Sequence, residues 1–315
     1  MPKTAPNAGP KAATTPAHLP FDPDRWGRGA SPTDTPCVVC EGAPDRVVGE
    51  KDGVRILHCS RCTLQYTETS IASLPLDTHY GAGYFNGGRS GYSDYLGDEQ
   101  VHRTRARRYL ANLGRHARTP GTVLDVGCAT GFFLDEARRA GWRARGVEVS
   151  AWAAAHARDV LGLDVAVSGF PAPALDGARF DLVTFFNVFE QLPDQRAAEA
   201  QLRRIVAPGG VLAIETWDVD SLVARMMGMH WHQYRPRETP TYYTYRSLST
   251  LFAPAEWELL EFGPRAKSIS LRNGFHILGV EIPSGPGLLA RLGDVAIPYG
   301  LGDLVMAVFR RRGEA

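Results

Sequence analysis

The chain has 315 residues, 44% of them hydrophobic, which is length and apolar content for one large or two smaller globular domains. Lys plus Arg is 35 and Asp plus Glu is 34, a balance that offers no electrostatic footprint for nucleic acid or an anionic membrane. No apolar run reaches the roughly 18 residues of a transmembrane helix, and the N-terminus lacks a signal peptide's apolar core, so a cytoplasmic protein is expected.

Residues 1–36 hold eight of the 22 prolines, set among Ala, Thr and Gly. Such a tail buries little and is expected to be disordered. The next unit, 37–70, carries Cys37-x2-Cys40 and Cys59-x2-Cys62 with 18 residues between the pairs, a zinc-ribbon spacing. Two tight turns can place these four thiolates in a tetrahedron at about 2.3 Å from a zinc ion. Four cysteines leave no open coordination position, so the metal would be structural and would supply much of the unit's folding free energy. The competing reading is four reduced thiols in a small β unit, since a cytosolic chain disfavours disulfides. His58 beside Cys59 can replace one ligand, but four cysteines already fill the site.

Residues 71–118 read as a linker and helix. "HYGAGYFNGGRSGYSDYLGDE" (79–99) is rich in Tyr and Gly, and a basic helix is predicted from about Val101 to Arg115. From Gly121, within a core of 119–315, strand and helix alternate. "TVLDV" is a strand and "FFLDEARRAG" a helix capped near Gly141. "RARGVEV" is a second strand, and Ser150 caps the Ala-rich helix that stops near Gly162. "LDVAVSG" and "FDLVTFFNV" are strands three and four. "DQRAAEAQLRRIV" is a helix ended by Pro208-Gly209-Gly210, and "VLAIET" is a fifth strand. An aromatic, basic insert occupies 218–245. A helix around Ser247–Phe252, a strand over Trp257–Phe262 and a last edge strand in "DLVMAVFRR" complete seven strands. Repeated βα units predict an α/β fold, a doubly wound and mostly parallel seven-stranded sheet.

The first strand runs into glycines: Val123-Leu-Asp-Val-Gly-Cys-Ala-Thr-Gly131. A dinucleotide fingerprint would need glycines where Ala129 and Phe132 stand, which argues against a nicotinamide oxidoreductase, and no Lys-Ser/Thr pair closes a P-loop. The remaining pattern is Asp125-x-Gly127-x-Ala129-x-Gly131, with Glu148 23 residues beyond Asp125 at the end of strand two. Together with "FDLVTFFNVFEQL" and "LRRIVAPGGVLAIET", in this order, it resembles the class I S-adenosylmethionine-dependent methyltransferases over roughly Gly121 to Phe262. The resemblance implies a Rossmann-like core whose loop, Asp125, Gly127, Cys128, Ala129 and Gly131, passes the amino-acid part of S-adenosylmethionine. It gives Glu148 the ribose hydroxyls, Ser168, Gly169 and Phe170 the adenine, and Asn187 the cofactor floor. Cys128 reads as a small filler, and Ala129 stands where the family has a glycine. An ordinary doubly wound domain with a tight turn is the plain alternative. A zinc ribbon ahead of this core resembles a bacterial group that includes deoxysugar C-methyltransferases, but the roughly 50 residues after Phe262 are too few for their further domain.

Methyl transfer needs alignment, exclusion of water and, for a hydroxyl or carbon acid, a base. Relatives commonly read Glu-His where this chain has Glu190-Gln191; Gln191 can hydrogen-bond but takes no proton near neutrality. The base has moved, or the reaction needs none, or position 191 only caps the following helix. His230 and His232 would share one face if they lie on a strand, and their alternative is a surface or packing role. Tyr80 and Tyr84 lie in "HYGAGYF", a pattern that recurs in this group and folds over the active-site mouth. Either tyrosine can serve as base if a charge such as Arg89 lowers its pKa; otherwise the segment is an aromatic hinge. The expected acceptor is a small molecule (a sugar, polyketide-like or other biosynthetic intermediate), alone or bound to a carrier or nucleotide. The rival reading is a non-catalytic or macromolecule-modifying module whose ribbon binds RNA or a carrier protein.

Overall fold

The computed structural model describes residues 35–68, 79–87, 92, 94–118, 120–272, 275, 287, 292–293 and 295–313. Arg89 and almost all of the Pro-rich segment lie outside them. Strands β1 (Arg46–Lys51), β2 (Val54–His58) and β3 (Gln65–Thr67) form an antiparallel meander. Helices α1 (Ala82–Phe85) and α2 (Glu99–Leu113) follow. The βα alternation then appears as β4 (Thr122–Val126), α3 (Phe132–Arg139), β5 (Arg143–Glu148), α4 (Ala151–Asp159), β6 (Asp164–Val167), β7 (Phe180–Phe186), α5 (Gln195–Ile205) and β8 (Val206–Trp217). The chain continues through α6 (Leu222–Met227), β9 (Thr241–Tyr242), α7 (Tyr245–Leu251), β10 (Trp257–Pro264), a β11 (Lys267–Ser270) and β12 (Ala296–Tyr299) pair, and β13 (Leu304–Arg311).

Seven strands form one sheet in the order β10-β13-β8-β7-β4-β5-β6. β6, β5, β4, β7 and β8 run parallel, and β13 is antiparallel to β8 and β10. The α/β, doubly wound, mostly parallel expectation is the fold observed. Strand order reverses between β4 and β7, which opens a crevice at the C-terminal ends of these strands.

Two details differ from the sequence reading. "DLVMAVFRR" is not an edge: β13 lies between β8 and β10, and Trp257–Pro264 is the edge. The physical sign is its unbroken apolar run, with Leu304 to Phe309 all buried, as a strand covered on both faces requires. Pro208-Gly209-Gly210 does not separate helix from strand. β8 begins at Val206 and carries the three residues as an irregularity, because register jumps from Phe180↔Val206 to Leu182↔Val211.

Caps follow the sequence where it offered a donor or acceptor. Ser150 Oγ accepts from Ala153 N at 3.3 Å, and Asp194 Oδ1 accepts from Ala197 N at 2.9 Å. Gly141 leaves α3 at φ 90°. Helix α2 is clamped to α3 by buried charges: Arg103 reaches Asp135 at 2.6 Å and Glu136 at 2.9 Å. This clamp turns His102, Arg105 and Tyr109, on one helical face, toward the crevice.

The cysteine unit does not stand apart from the sheet domain. β9, from the aromatic insert, adds to β3 and makes a four-stranded sheet β1-β2-β3-β9. Cys37, Leu57 and Tyr66 belong to the same continuous apolar cluster as Val126, Phe185 and Phe309. Among the described residues, no helix is long and apolar enough to cross a membrane.

Candidate active site

Backbone geometry explains the glycine loop. Gly127, Ala129 and Gly131 all have positive φ, at 71°, 48° and 88°. A Cβ on Gly127 would stand 2.4 Å from Val188 Cγ2, and one on Gly131 would stand 2.6 Å from Leu163 Cδ1. Ala129 holds a left-handed conformation that costs about 1 kcal/mol. Cys128 fills the hollow left by Gly146, where a Cβ would meet its Sγ at 2.6 Å. That is the packing role expected of it.

Two acids face a cavity of about 760 Å³ at the strand ends, a volume that suits a small-molecule pocket. Asp125 is buried and accepts from Thr184 Oγ1 at 2.7 Å. Burial pushes its carboxyl up to about 7; the Thr184 hydrogen bond opposes this and the Glu148 charge adds to it. Glu148 closes β5. Its Oε2 accepts from Ala129 N and its Oε1 from Ser150 N, each at 2.8 Å. Burial raises its pKa, and these backbone donors oppose the rise. Each carboxylate oxygen keeps a second lone pair for a ligand hydroxyl.

Asn187 also lines this cavity, at φ 57°. Its Nδ2 donates to Glu215 Oε1 at 2.7 Å, while its Oδ1 is buried with no hydrogen-bond partner among the described residues. Ser168, Gly169 and Phe170 line the wall beside Glu148. Gly131 does not line the cavity; it turns the chain into α3. Carboxylates for hydroxyls and an ammonium, an orphaned amide oxygen, and the guanidinium of Arg105 for a carboxylate make a donor and acceptor set that fits S-adenosylmethionine.

On the same cavity, Tyr80 Oη donates to Gln191 Oε1 at 2.5 Å, and Gln191 Nε2 donates to Asn187 O at 3.2 Å. Burial pushes the pKa of Tyr80 and of Tyr84 well above 10, and Arg235 offsets this only in part. The tyrosinate base expected from sequence is therefore corrected: burial shifts both hydroxyls away from ionisation rather than toward it. Their rings instead pack edge to face at 4.9 Å and form one wall. His230 and His232 are likewise corrected. They lie in a 3₁₀ turn and the turn after it, not on a strand; both are exposed and neither lines the cavity. His232 Nε2 instead stands 3.8 Å from Asp303 Oδ2.

Sequence reasoning missed Arg105, Tyr95, Glu190 and Trp217, all of which line the cavity, as does Arg235 from the aromatic, basic insert. Glu190 was visible as the acid of the Glu-His position, and Arg105 as the residue one helical turn after His102. Trp217 carried no local signal, and the insert that holds Arg235 is placed by long-range contacts: β9 pairs with β3, and Thr241 Oγ1 donates to Glu190 O at 2.9 Å.

The four cysteines also converge. Their Sγ atoms lie within 4.8 Å of one another, with Cys37–Cys62 at 3.5 Å and Cys40–Cys59 at 3.4 Å. A zinc tetrahedron with bonds of about 2.3 Å has sulfur–sulfur edges near 3.8 Å, so the cluster fits this ion. His58 is not part of it; its Nδ1 lies 2.6 Å from Asp45 Oδ1.

Residues 98–262 match the model of a family described as a methyltransferase domain. The chain is similar to a ubiquinone biosynthesis O-methyltransferase of Methylococcus capsulatus, with 32% identity over 125 residues, 38% of this chain and 52% of that protein. It is 38% identical over 105 residues to an uncharacterized methyltransferase of Mycobacterium sp. (strain KMS), 31% of this chain and 41% of that one. The chain thus spans about half the length of the curated relatives it matches. Among solved structures, it is similar to the N-methyltransferase NodS of Bradyrhizobium japonicum in complex with S-adenosyl-L-homocysteine, at 16% identity and TM-score 0.41, over 69% of this chain and 88% of that one. Because the family match covers more than half of its length, the chain belongs to the methyltransferase-domain family of S-adenosylmethionine-dependent enzymes.

Proposed function

We propose that the protein transfers a methyl group from S-adenosylmethionine to an oxygen or carbon of a small molecule and releases S-adenosylhomocysteine. The observation that carries this reading is a single cavity lined both by Glu148 and by the hydrogen-bonded Tyr80–Gln191 pair. S-adenosylmethionine, when bound, supplies an electrophilic methyl group on a sulfonium. Glu148 takes the ribose hydroxyls, Ser168 to Phe170 border the adenine, and Asp125 and Asn187 Oδ1 receive the ammonium. Arg105 answers the carboxylate, and the loop from Gly127 to Gly131 gives close backbone approach.

The remaining walls serve the acceptor. Tyr80, Tyr84 and Trp217 exclude water and offer flat faces; Gln191 and Arg235 orient polar groups. An acceptor that must lose a proton meets Glu190, the buried carboxylate on this side. Likeness to an O-methyltransferase supports an oxygen acceptor. A carrier- or nucleotide-linked acceptor remains within this reading. A structural zinc belongs to Cys37, Cys40, Cys59 and Cys62.

A native mass spectrum of the purified protein tests both sites together. One zinc plus one S-adenosylmethionine or S-adenosylhomocysteine is the expected mass. Zinc alone, after S-adenosylmethionine has been added, would overturn the cofactor reading.

A further inference from the structure

We propose that the four-cysteine unit is the scaffold of the acceptor wall: its metal-closed hairpin holds 233–239 against the cavity, so metal occupancy governs the acceptor side and leaves the cofactor side intact. This rests on the acceptor reading above. Gln233, Arg235 and Thr239 line the cavity, yet they come from an insert with little regular structure of its own. Their placement is imposed from outside.

The anchors are specific and bracket Arg235 and Thr239. Before Arg235, Tyr234 Oη donates to Gln65 Oε1 at 2.5 Å. After it, Arg237 Nη2 donates to Asp52 O at 2.9 Å. Beyond Thr239, Thr67 N donates to Pro240 O at 2.8 Å, and β9 pairs with β3 through Gln65↔Tyr242 and Tyr66↔Thr241. Thr63 Oγ1 and Thr244 Oγ1 share a hydrogen bond at 2.7 Å. Every anchor on the cysteine side lies on the β1–β2 turn or on the segment 63–67.

The cysteines shape that segment. Cys59 and Cys62 make the turn between β2 and β3, with Thr63 N donating to Cys59 O at 2.7 Å and Cys59 N to Leu64 O at 2.9 Å. Thr63 sits at φ 63° in this turn, a conformation a threonine rarely holds without support. A metal bound by Cys37, Cys40, Cys59 and Cys62 fixes the turn, and the turn fixes the edge that receives β9. The cofactor half has a different support: Asp125 and Glu148 end parallel strands inside the seven-stranded sheet. Tyr234, Gln65 and Thr67 are accordingly positioning residues, which act through Arg235 and Thr239.

The test is hydrogen–deuterium exchange on the full-length zinc protein before and after removal of the metal by a chelator, with S-adenosylhomocysteine affinity measured on both samples. Removal should lower protection at least about tenfold in 59–67 and 233–243 together, while protection at 123–131 and the S-adenosylhomocysteine Kd change less than about twofold. Tyr234→Phe, which keeps the ring and the metal, should raise exchange in 233–243 only. Unchanged protection of 233–243 in a metal-stripped protein, or in one purified without metal, overturns the proposal; so does loss of S-adenosylhomocysteine binding on stripping. Failure of the zinc protein itself to bind S-adenosylhomocysteine would instead sink the methyltransferase reading, so the two failures are told apart.

Discussion

Tyr80 and Gln191, 111 positions apart in sequence, share a hydrogen bond of 2.5 Å on the wall of the cavity that both residues line. It holds the wall ahead of α2 to the turn after β7. Tyr80→Phe removes the hydroxyl and keeps the ring, and should lower stability by about 1 kcal/mol, a fall in Tm of about 2–4 °C. S-adenosylhomocysteine affinity should stay within about twofold, because no cofactor contact is touched. Thermal melts and titration calorimetry check both; a large loss of affinity would place Tyr80 on the cofactor instead.

Glu148 has two tasks that a careful substitution separates. Its carboxylate satisfies the backbone N–H groups of Ala129 and Ser150, and it faces the cavity. Glu148→Ala should cost about 1–3 kcal/mol of stability, since two buried donors lose their acceptor. Glu148→Gln keeps one carbonyl acceptor and much of that stability, yet should still weaken S-adenosylhomocysteine binding about tenfold or more through loss of the charged, two-oxygen acceptor. Wild-type affinity in the Gln variant would remove Glu148 from the cofactor site.

Asp125 predicts a pH dependence. Its folded pKa, about 7, lies above the ordinary value of 3.8 because of burial, with Glu148 adding to the shift. Between about pH 4 and 7 the unfolded chain has released this proton and the folded chain still holds it, so this group lowers stability as pH rises through that window; the penalty then levels off. A ligand ammonium favours the ionised carboxyl, so S-adenosylhomocysteine should bind more tightly as pH rises through about 7, with proton release. Calorimetry in buffers of different ionisation enthalpy reads the release. Asp125→Asn should abolish it; an identical release in the variant would assign the proton elsewhere.

Arg105 should act on one end of the ligand alone. Arg105→Lys keeps a charge but loses the fork that pairs with a carboxylate. S-adenosylhomocysteine should bind about tenfold more weakly to the variant, and 5′-methylthioadenosine, which has no carboxylate, about equally to both proteins. Equal losses for the two ligands would mean that Arg105 shapes the cavity rather than reading the carboxylate.

The glycine loop offers a paired control. Gly131→Ala places a Cβ 2.6 Å from Leu163 at φ 88° and should cost at least about 2 kcal/mol. Ala129→Gly relieves a positive φ but loosens the unfolded chain, and these effects nearly cancel, leaving stability within about 0.5 kcal/mol. Denaturant melts of the two variants decide it, and equal destabilisation would contradict the backbone account.

The half of the cavity proposed for the cofactor was legible because its residues stand within one βα unit and the next strand. Asp125 to Gly131 and Glu148 are fixed by a turn and a strand end, both local features of the chain. The half proposed for the acceptor was legible in part: Tyr80, Tyr84 and Gln191 were named from the sequence and line the cavity. Their meeting with Arg235 depends on tertiary pairing, and β9, two residues long, leaves no periodicity to read. His230 and His232 misled because alternation suggests a strand, whereas Gly228, at φ 51°, starts a 3₁₀ turn there. The tyrosine base misled because burial, which only the fold reveals, acts against ionisation. The placement of β13 was half legible: its apolar run announced a covered strand, while its late position in the chain suggested an edge.

That placement has a consequence for synthesis. Strands β4 to β8 leave the ribosome together with the helices that cover them, but β10 emerges about forty residues before the strand that must separate it from β8. Until Leu304–Arg311 arrives, the β8 ladder is open along Val211 to Trp217, and its nearest competitor is β10, already made and waiting. Correct closure is therefore a threading of the newest strand between two older ones. Ribosomes paused before residue 304 would hold a chain with an unpaired, apolar border, a substrate for chaperones and a seed for edge-to-edge association.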